Sequence, residues 1–194
     1  MSVDFDSPLL DAARRRVLIG DGAMGTMLQA VDLTVDGDFL GLEGCNEILN
    51  DTRPDVVEDI HRAFFEAGAD LVETNTFGCN LSNLGDYDIV DRIGELAEKG
   101  AAIARKVADE MGPSEDGTPR MVLGSLGPGT KLPSLGQTTL AEIRAAYAQA
   151  AGGLARGGAD AFLIETSQDL LQVKAAVLGC KDGMAAAGRR LPII

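Results

Sequence analysis

Three carboxylates stand where a chain of this kind could do chemistry. Two of them, Glu73 and Glu165, close near-copies of one pattern. EAGADLVETNTF (66–77) and RGGADAFLIETSQD (156–169) each run from a helix end through Gly, Ala-Asp and an apolar strand to Glu-Thr. Side chains along a strand alternate with a period of two. Glu165 lies two residues farther from its Ala-Asp than Glu73 does, so both carboxylates share one sheet face, about one pleat repeat apart. Acids at the ends of barrel strands are usually functional, which marks Glu165, whereas Glu73 stands equally as a layer partner or a site residue. The third acid, Asp21, lies in GDGAMG (Gly20–Gly25), directly after the apolar run VLIG. That hexamer matches the G-x-G-x-x-G dinucleotide fingerprint. The fingerprint, however, requires its next strand within about 30 residues, and here it begins roughly 50 residues on. Asp21 also sets a carboxylate where a pyrophosphate needs backbone N–H groups. Gly22 and Gly25 are better read as letting the backbone turn tightly so that Asp21 projects.

Metal and nucleophile chemistry has little to work with. The chain has one histidine, His61, and three cysteines, Cys45, Cys79 and Cys180. Cys180 falls on the core stripe of a predicted helix and reads as a small buried hydrophobe. His61 is mid-helix, a packing or solvated residue. Cys79 follows the second strand and Cys45 lies in a long first loop, so these two meet near the site, but two thiols make a weak metal signal. No zinc site is expected within the chain.

The elements that position these residues follow from hydrophobic period. Apolar runs at Val17–Gly20, Leu71–Thr76, Met121–Leu126, Ala161–Thr166 and Leu191–Ile194 read as strands. Ile89, Ile93, Leu96, Gly100, Ile103 and Val107 recur at helical spacing, as do Leu140, Ile143, Tyr147, Ala150 and Leu154. Pro54 sits at a first helical turn. Ser167 is the expected cap of a last helix with core stripe Leu170, Val173, Val177, Cys180 and Met184. Gly68 and Gly158 suit left-handed helix ends. Residues 111–120 read as a surface connection and 29–50 as an insertion. Strand alternating with helix predicts a parallel sheet covered by helices. The repeated unit favours an α/β fold of the eight-stranded (β/α) TIM-barrel type. Only the first four βα units and a fifth strand are expected in residues 1–194, one portion of one domain.

Composition narrows the partners. Lys+Arg number 17 against 30 Asp+Glu, a net charge of −13, and aromatics are 4% with no Trp. Such a surface repels phosphate backbones and anionic lipid, so neither nucleic acid nor membrane is an expected partner. The odd cysteine count and the absence of a leader or a long apolar run predict a reduced, cytoplasmic protein.

DGAMGTMLQ (21–29), HRAFFEAGADLVETNTF (61–77), GSLGP (124–128) and GGADAFLIET (157–166) together resemble the homocysteine-binding module of the cobalamin-dependent methionine synthases, from about Arg14 onward. The resemblance implies a methyltransferase that moves a methyl group from methylcobalamin to homocysteine, forming methionine. By this resemblance Asp21 and Glu165 meet the substrate ammonium through charge-assisted hydrogen bonds. Gly124 and Ser125 with neighbouring N–H groups face its carboxylate, and Asn75 and Thr76 add neutral contacts. The family activates the thiol with zinc held by three cysteines that follow later strands, in segments with no counterpart here. Cobalamin and methyltetrahydrofolate are implied to bind other modules of a longer polypeptide, and the 194-residue chain alone is expected to be inactive. Two alternatives are a nucleotide-dependent oxidoreductase with an open doubly wound sheet and a non-catalytic half-barrel.

Overall fold

The two Ala-Asp pairs of the repeat do the same structural work. Asp70 accepts the N–H of Ile19 at 2.8 Å and both guanidinium nitrogens of Arg16 at 2.7 Å. Asp160 accepts the N–H of Val122 at 2.8 Å and Arg105 at 2.9 Å. Each aspartate therefore enters its own strand by tying down the strand before it, with an arginine balancing the buried charge. The structure, a computed structural model, describes residues 7–194. The first six residues of the expected 1–194 unit lie outside the described residues.

Helix α1 (Pro8–Arg15) is capped by the Ser7 hydroxyl, with Pro8 in the first turn. Its Leu9 and Ala12 pack on Leu71, Met121 and Ala161, the first residues of three strands, and on Leu123. After it come α2 (Met24–Gln29), α3 (Leu49–Thr52), α4 (Pro54–Glu66), β1 (Leu71–Glu73), α5 (Ile93–Met111), β2 (Met121–Leu126), α6 (Leu140–Gly157), β3 (Ala161–Ile164) and α7 (Leu170–Ala187). The strands are parallel and lie in the order β1-β2-β3. Of the five expected strands, the first and last are reduced to single parallel bridges, Gly20 to Leu71 and Phe162 to Ile193. Each has a neighbour on one side only among the described residues, and Val17 and Ile19 are 84% and 60% exposed. Even so, the five runs lie in chain order with the first at an edge. A doubly wound sheet would set the first strand centrally, so the topology departs from the nucleotide-binding alternative.

Helix signals were legible, with two corrections. Thr139 and Glu142 form a reciprocal capping box on α6, and Gly158 ends it in the left-handed region. The last helix is capped by Asp169, not Ser167. Asp169 accepts the N–H groups of Leu171 and Gln172, while the Ser167 hydroxyl turns back to the Glu165 carbonyl. Its buried face is also rotated from the expected stripe: Leu170 is 86% exposed, while Gln172, Ala175, Ala176, Gly179, Cys180 and Gly183 are buried. Close helix approach explains the rotation. A Cβ on Gly179 would stand 2.7 Å from the Arg144 carbonyl oxygen, and one on Gly183 2.7 Å from the Gly152 nitrogen. On the α5 side, a Cβ on Gly153 would overlap the Gly94 carbonyl oxygen. Small residues, not large apolar ones, set these interfaces. Among the described residues no helix is long and apolar enough to cross a membrane.

His61 on α4 is fully buried and neither ring nitrogen has a hydrogen-bond partner. Burial pushes its pKa down to about 4, so the ring is neutral and serves as packing. Unpaired buried polar atoms are costly. His61→Leu should therefore raise stability at pH 7 by about 1–2 kcal/mol, read as a higher urea midpoint. Gly153→Ala should lower it by about 1–3 kcal/mol, the range for overpacking, in the same measurement.

Candidate functional site

The carboxyl-terminal ends of the strands open on a cavity of about 420 Å³ lined by Asp21, Glu47, Glu73, Asn75, Phe77, Ser125 and Glu165, among others. No lysine, arginine or histidine lines it. Asp21 is fixed by the strand it follows and by the strand beside it. Its N–H donates to the Leu71 carbonyl at 3.1 Å, and both its carboxylate oxygens accept the Glu73 N–H, at 3.1 and 3.0 Å. Neither Gly22 nor Gly25 has a positive φ, so the expected turning role does not hold for them. Gly22 is small because the Phe64 ring lies against it, 3.2 Å from where a Cβ would stand.

Glu73 and Glu165 line the same cavity from the carboxyl-terminal ends of β1 and β3. Between them, Ser125 of β2 donates its hydroxyl to Glu165 Oε1 at 2.6 Å. Thr166 follows with φ +56°, a strained conformation for a β-branched residue. Its hydroxyl lies 3.4 Å from Glu165 Oε2. Burial pushes Asp21 up to about 7, with the Glu73 N–H pulling the other way and the Glu73 carboxylate adding to the rise. Glu73 is raised by burial and then by the charge of Glu165.

The neutral residues divide between cavity and scaffold. Asn75 lines the cavity, yet its amide is occupied, donating to the Asn46 carbonyl at 2.8 Å and to Asn50 Oδ1 at 3.0 Å. Thr76 and Gly124 stand outside the lining. The Thr76 hydroxyl donates to the Ser125 carbonyl at 2.8 Å, and Gly124 turns toward Leu154 of α6, whose side chain a Cβ would meet at 2.8 Å. The Ser125 N–H is taken by the Thr74 hydroxyl at 3.0 Å.

Glu47 is a site residue that sequence reasoning passed over. It sits in the insertion, in CNEILN, one turn ahead of Asn50. The clue was an acid inside an otherwise apolar and amide-bearing run. Its Oε1 accepts the Gly78 N–H at 2.7 Å, and a Cβ on Gly78 would come 2.5 Å from that oxygen. Only glycine lets the loop after β1 close over it. Burial raises the Glu47 carboxyl.

All three cysteines are free and buried. Burial pushes the Cys45 thiol up to about 11, with Glu47 adding to it, and Cys180 up to about 12. Cys79 is raised well above its ordinary value for the same reasons as Cys45. Metal ligation needs thiolates. Among the described residues no group of three or more His, Cys, Asp or Glu is placed to hold a metal ion. These side chains therefore do not fit a catalytic zinc, which takes three protein ligands.

An acid whose pKa is raised by folding binds more protons folded than unfolded, so its contribution to stability falls as pH rises between the two values. For Asp21 that window runs from about 4 to about 7. Stability measured across it should fall less steeply in Asp21→Asn than in the unaltered protein. The difference is up to about 1.4 kcal/mol per pH unit, read from urea midpoints at each pH.

Comparison with known proteins gives this geometry a setting. The model of the family described as homocysteine S-methyltransferase matches residues 18–194. A methionine synthase of Mycobacterium tuberculosis is 67% identical over 189 residues, which are 97% of this chain and 16% of that protein. The methionine synthase of Mycobacterium leprae is 62% identical over 189 residues, 97% of this chain and 15% of that protein. The chain thus spans about one sixth of the length of these curated relatives. The oxidized form of the homocysteine methyltransferase MmuM from Escherichia coli superposes with a TM-score of 0.70 at 19% identity, over 96% of this chain and 64% of that one. Its metallated form gives a TM-score of 0.68 at 19% identity, over 95% and 65%. At that identity the likeness is one of fold.

Proposed function

The chain belongs to the homocysteine S-methyltransferase family, and from that premise we propose that its cavity binds homocysteine and that the protein methylates the substrate sulfur to give methionine. One observation carries the reading. Asp21, Glu73 and Glu165 converge on a cavity with no cationic side chain in its lining. Several carboxyl groups brought together without a counter-ion are unfavourable until a cation arrives, and the α-ammonium of an amino acid is such a cation. Ser125 serves the site by orienting Glu165. Asn75 serves it by clamping the 46–50 segment, Thr76 braces β2 through the Ser125 carbonyl, and Gly124 lets β2 lie close against Leu154 of α6.

The methyl donor we propose is methylcobalamin, on the likeness to the methionine synthases. Bound methylcobalamin would supply an electrophilic methyl group, and the substrate sulfur would lose its proton to solvent as it is methylated. Cobalamin and methyltetrahydrofolate would be carried by other modules of a longer polypeptide, with these strands the first part of an eight-stranded barrel. The described side chains do not gather a zinc ligand set, so no step here runs through that metal. The unpaired, buried thiols suit the reducing cytoplasm.

Titration calorimetry with L-homocysteine tests the binding half. Glu165→Gln should weaken affinity by about 1.5–3 kcal/mol, the range for a hydrogen bond to a charged group. Unchanged affinity would remove Glu165 from the site. Methionine formation by the full-length protein, followed with and without methylcobalamin, tests the donor.

A further inference from the structure

Glu73 and Glu165 share a cavity whose lining, among the described residues, holds no cationic side chain. From β1 comes Glu73 itself, and from β3 comes Glu165. The first apolar run supplies Asp21, whose carboxylate is turned to the Glu73 N–H. The insertion supplies Glu47, held on the Gly78 N–H. β2 supplies only the neutral Ser125 hydroxyl, given to Glu165. Every titratable group facing the cavity is therefore an acid. Carboxyl groups that share one cavity without a counter-ion disfavour each other's ionisation, so one of them keeps its proton more readily than a solvated acid does.

We propose that Glu73 is a third carboxyl of the ammonium subsite, and that the incoming substrate ammonium displaces a proton held by Glu73, which passes to solvent. The exchange balances: one proton leaves the pair as one positive charge arrives. Binding is thereby coupled to pH. While the substrate amine stays protonated, affinity rises with pH through the range in which the free pair keeps its proton. The upward push on Glu73 from burial and from Glu165 sets that range above the ordinary carboxylate value. Glu73→Gln keeps a polar side chain of the same length in the cavity but has no proton to give up. Selectivity follows as well, because a ligand without a cationic amine has nothing to replace the proton with.

This inference rests on the homocysteine reading, and one set of experiments separates the two. Titration calorimetry of the full chain with L-homocysteine, repeated in buffers of different ionisation heat, counts protons released per ligand bound. Near pH 6 the unaltered protein should release more protons than Glu73→Gln, by close to one per site. Its affinity should rise with pH more steeply than the variant's, by up to about tenfold per pH unit. An equal proton count and an equal slope in the two proteins would overturn the inference while leaving homocysteine binding intact. No homocysteine binding by the unaltered protein would overturn both readings. Carbon-13 spectra of the side-chain carboxyl groups in the unaltered protein need no substitution. Glu73 fully ionised at pH 6 without ligand would overturn the held proton. A carboxyl signal that moves to its ionised position when homocysteine is added would support it.

Discussion

Asp21 accepts the Glu73 N–H through both carboxylate oxygens, and the arrangement of the site depends on that tie. Asp21 follows the first apolar run, which holds to β1 through a single bridge and a few backbone bonds. The carboxylate thus does at the carboxyl end of the sheet what Asp70 does at the other end with Ile19. Between the two aspartates the edge run is pinned at both ends. The position of Asp21 next to Glu73 and Glu165 is then fixed by backbone geometry instead of by side-chain preference. Charge concentrated this way costs stability, and the cost is offset by strands and helices that leave the groups no room to separate.

That confinement comes from the helical layer. α5, α6 and α7 approach so closely that Gly153, Gly157, Gly179 and Gly183 each face a neighbouring helix backbone. Close-packed helices hold β2 and β3 rigidly, because Val122, Leu126 and Phe162 share the same buried cluster as Leu96, Ala150, Leu154 and Ala176. Rigid elements make a precise site. The strain at Thr166, φ +56°, is tolerated at the junction where β3 ends and Glu165 must turn inward.

Much of this was legible in residues. The Ala-Asp repeat announced both strand ends, and the offset of two placed Glu73 and Glu165 on one face, where both line one cavity. Pro54 marked the start of one helix and Gly158 the left-handed end of another. The rest depended on contacts that local pattern does not encode. Leu170 fits an apolar period, but the interface at α7 selects small residues, so the stripe turned and Asp169 became the cap. Gly22 reads as a turn glycine when its neighbours are unknown; only the Phe64 ring shows that size, not φ, is the constraint. Glu47 was hidden because its partner, the Gly78 N–H, lies 31 residues away in the chain. Edge runs at 17–20 and 191–194 had the composition of strands, yet each keeps only a single bridge to its neighbour.

The contrast between acids and thiols then divides the chemistry of the described residues. Recognition of an amino-acid ammonium asks for desolvated carboxyl groups that share one cavity, and Asp21, Glu73 and Glu165 meet that demand. Activation of a thiol asks for the opposite surroundings, groups that favour a sulfur anion. Around Cys45 and Cys79 burial and the Glu47 carboxyl work against a thiolate. A cavity rich in acids also raises the pKa of any substrate thiol entering it. On the proposed reading these residues hold the substrate by its amine, and the activation of its sulfur falls to groups other than those that bind the ammonium.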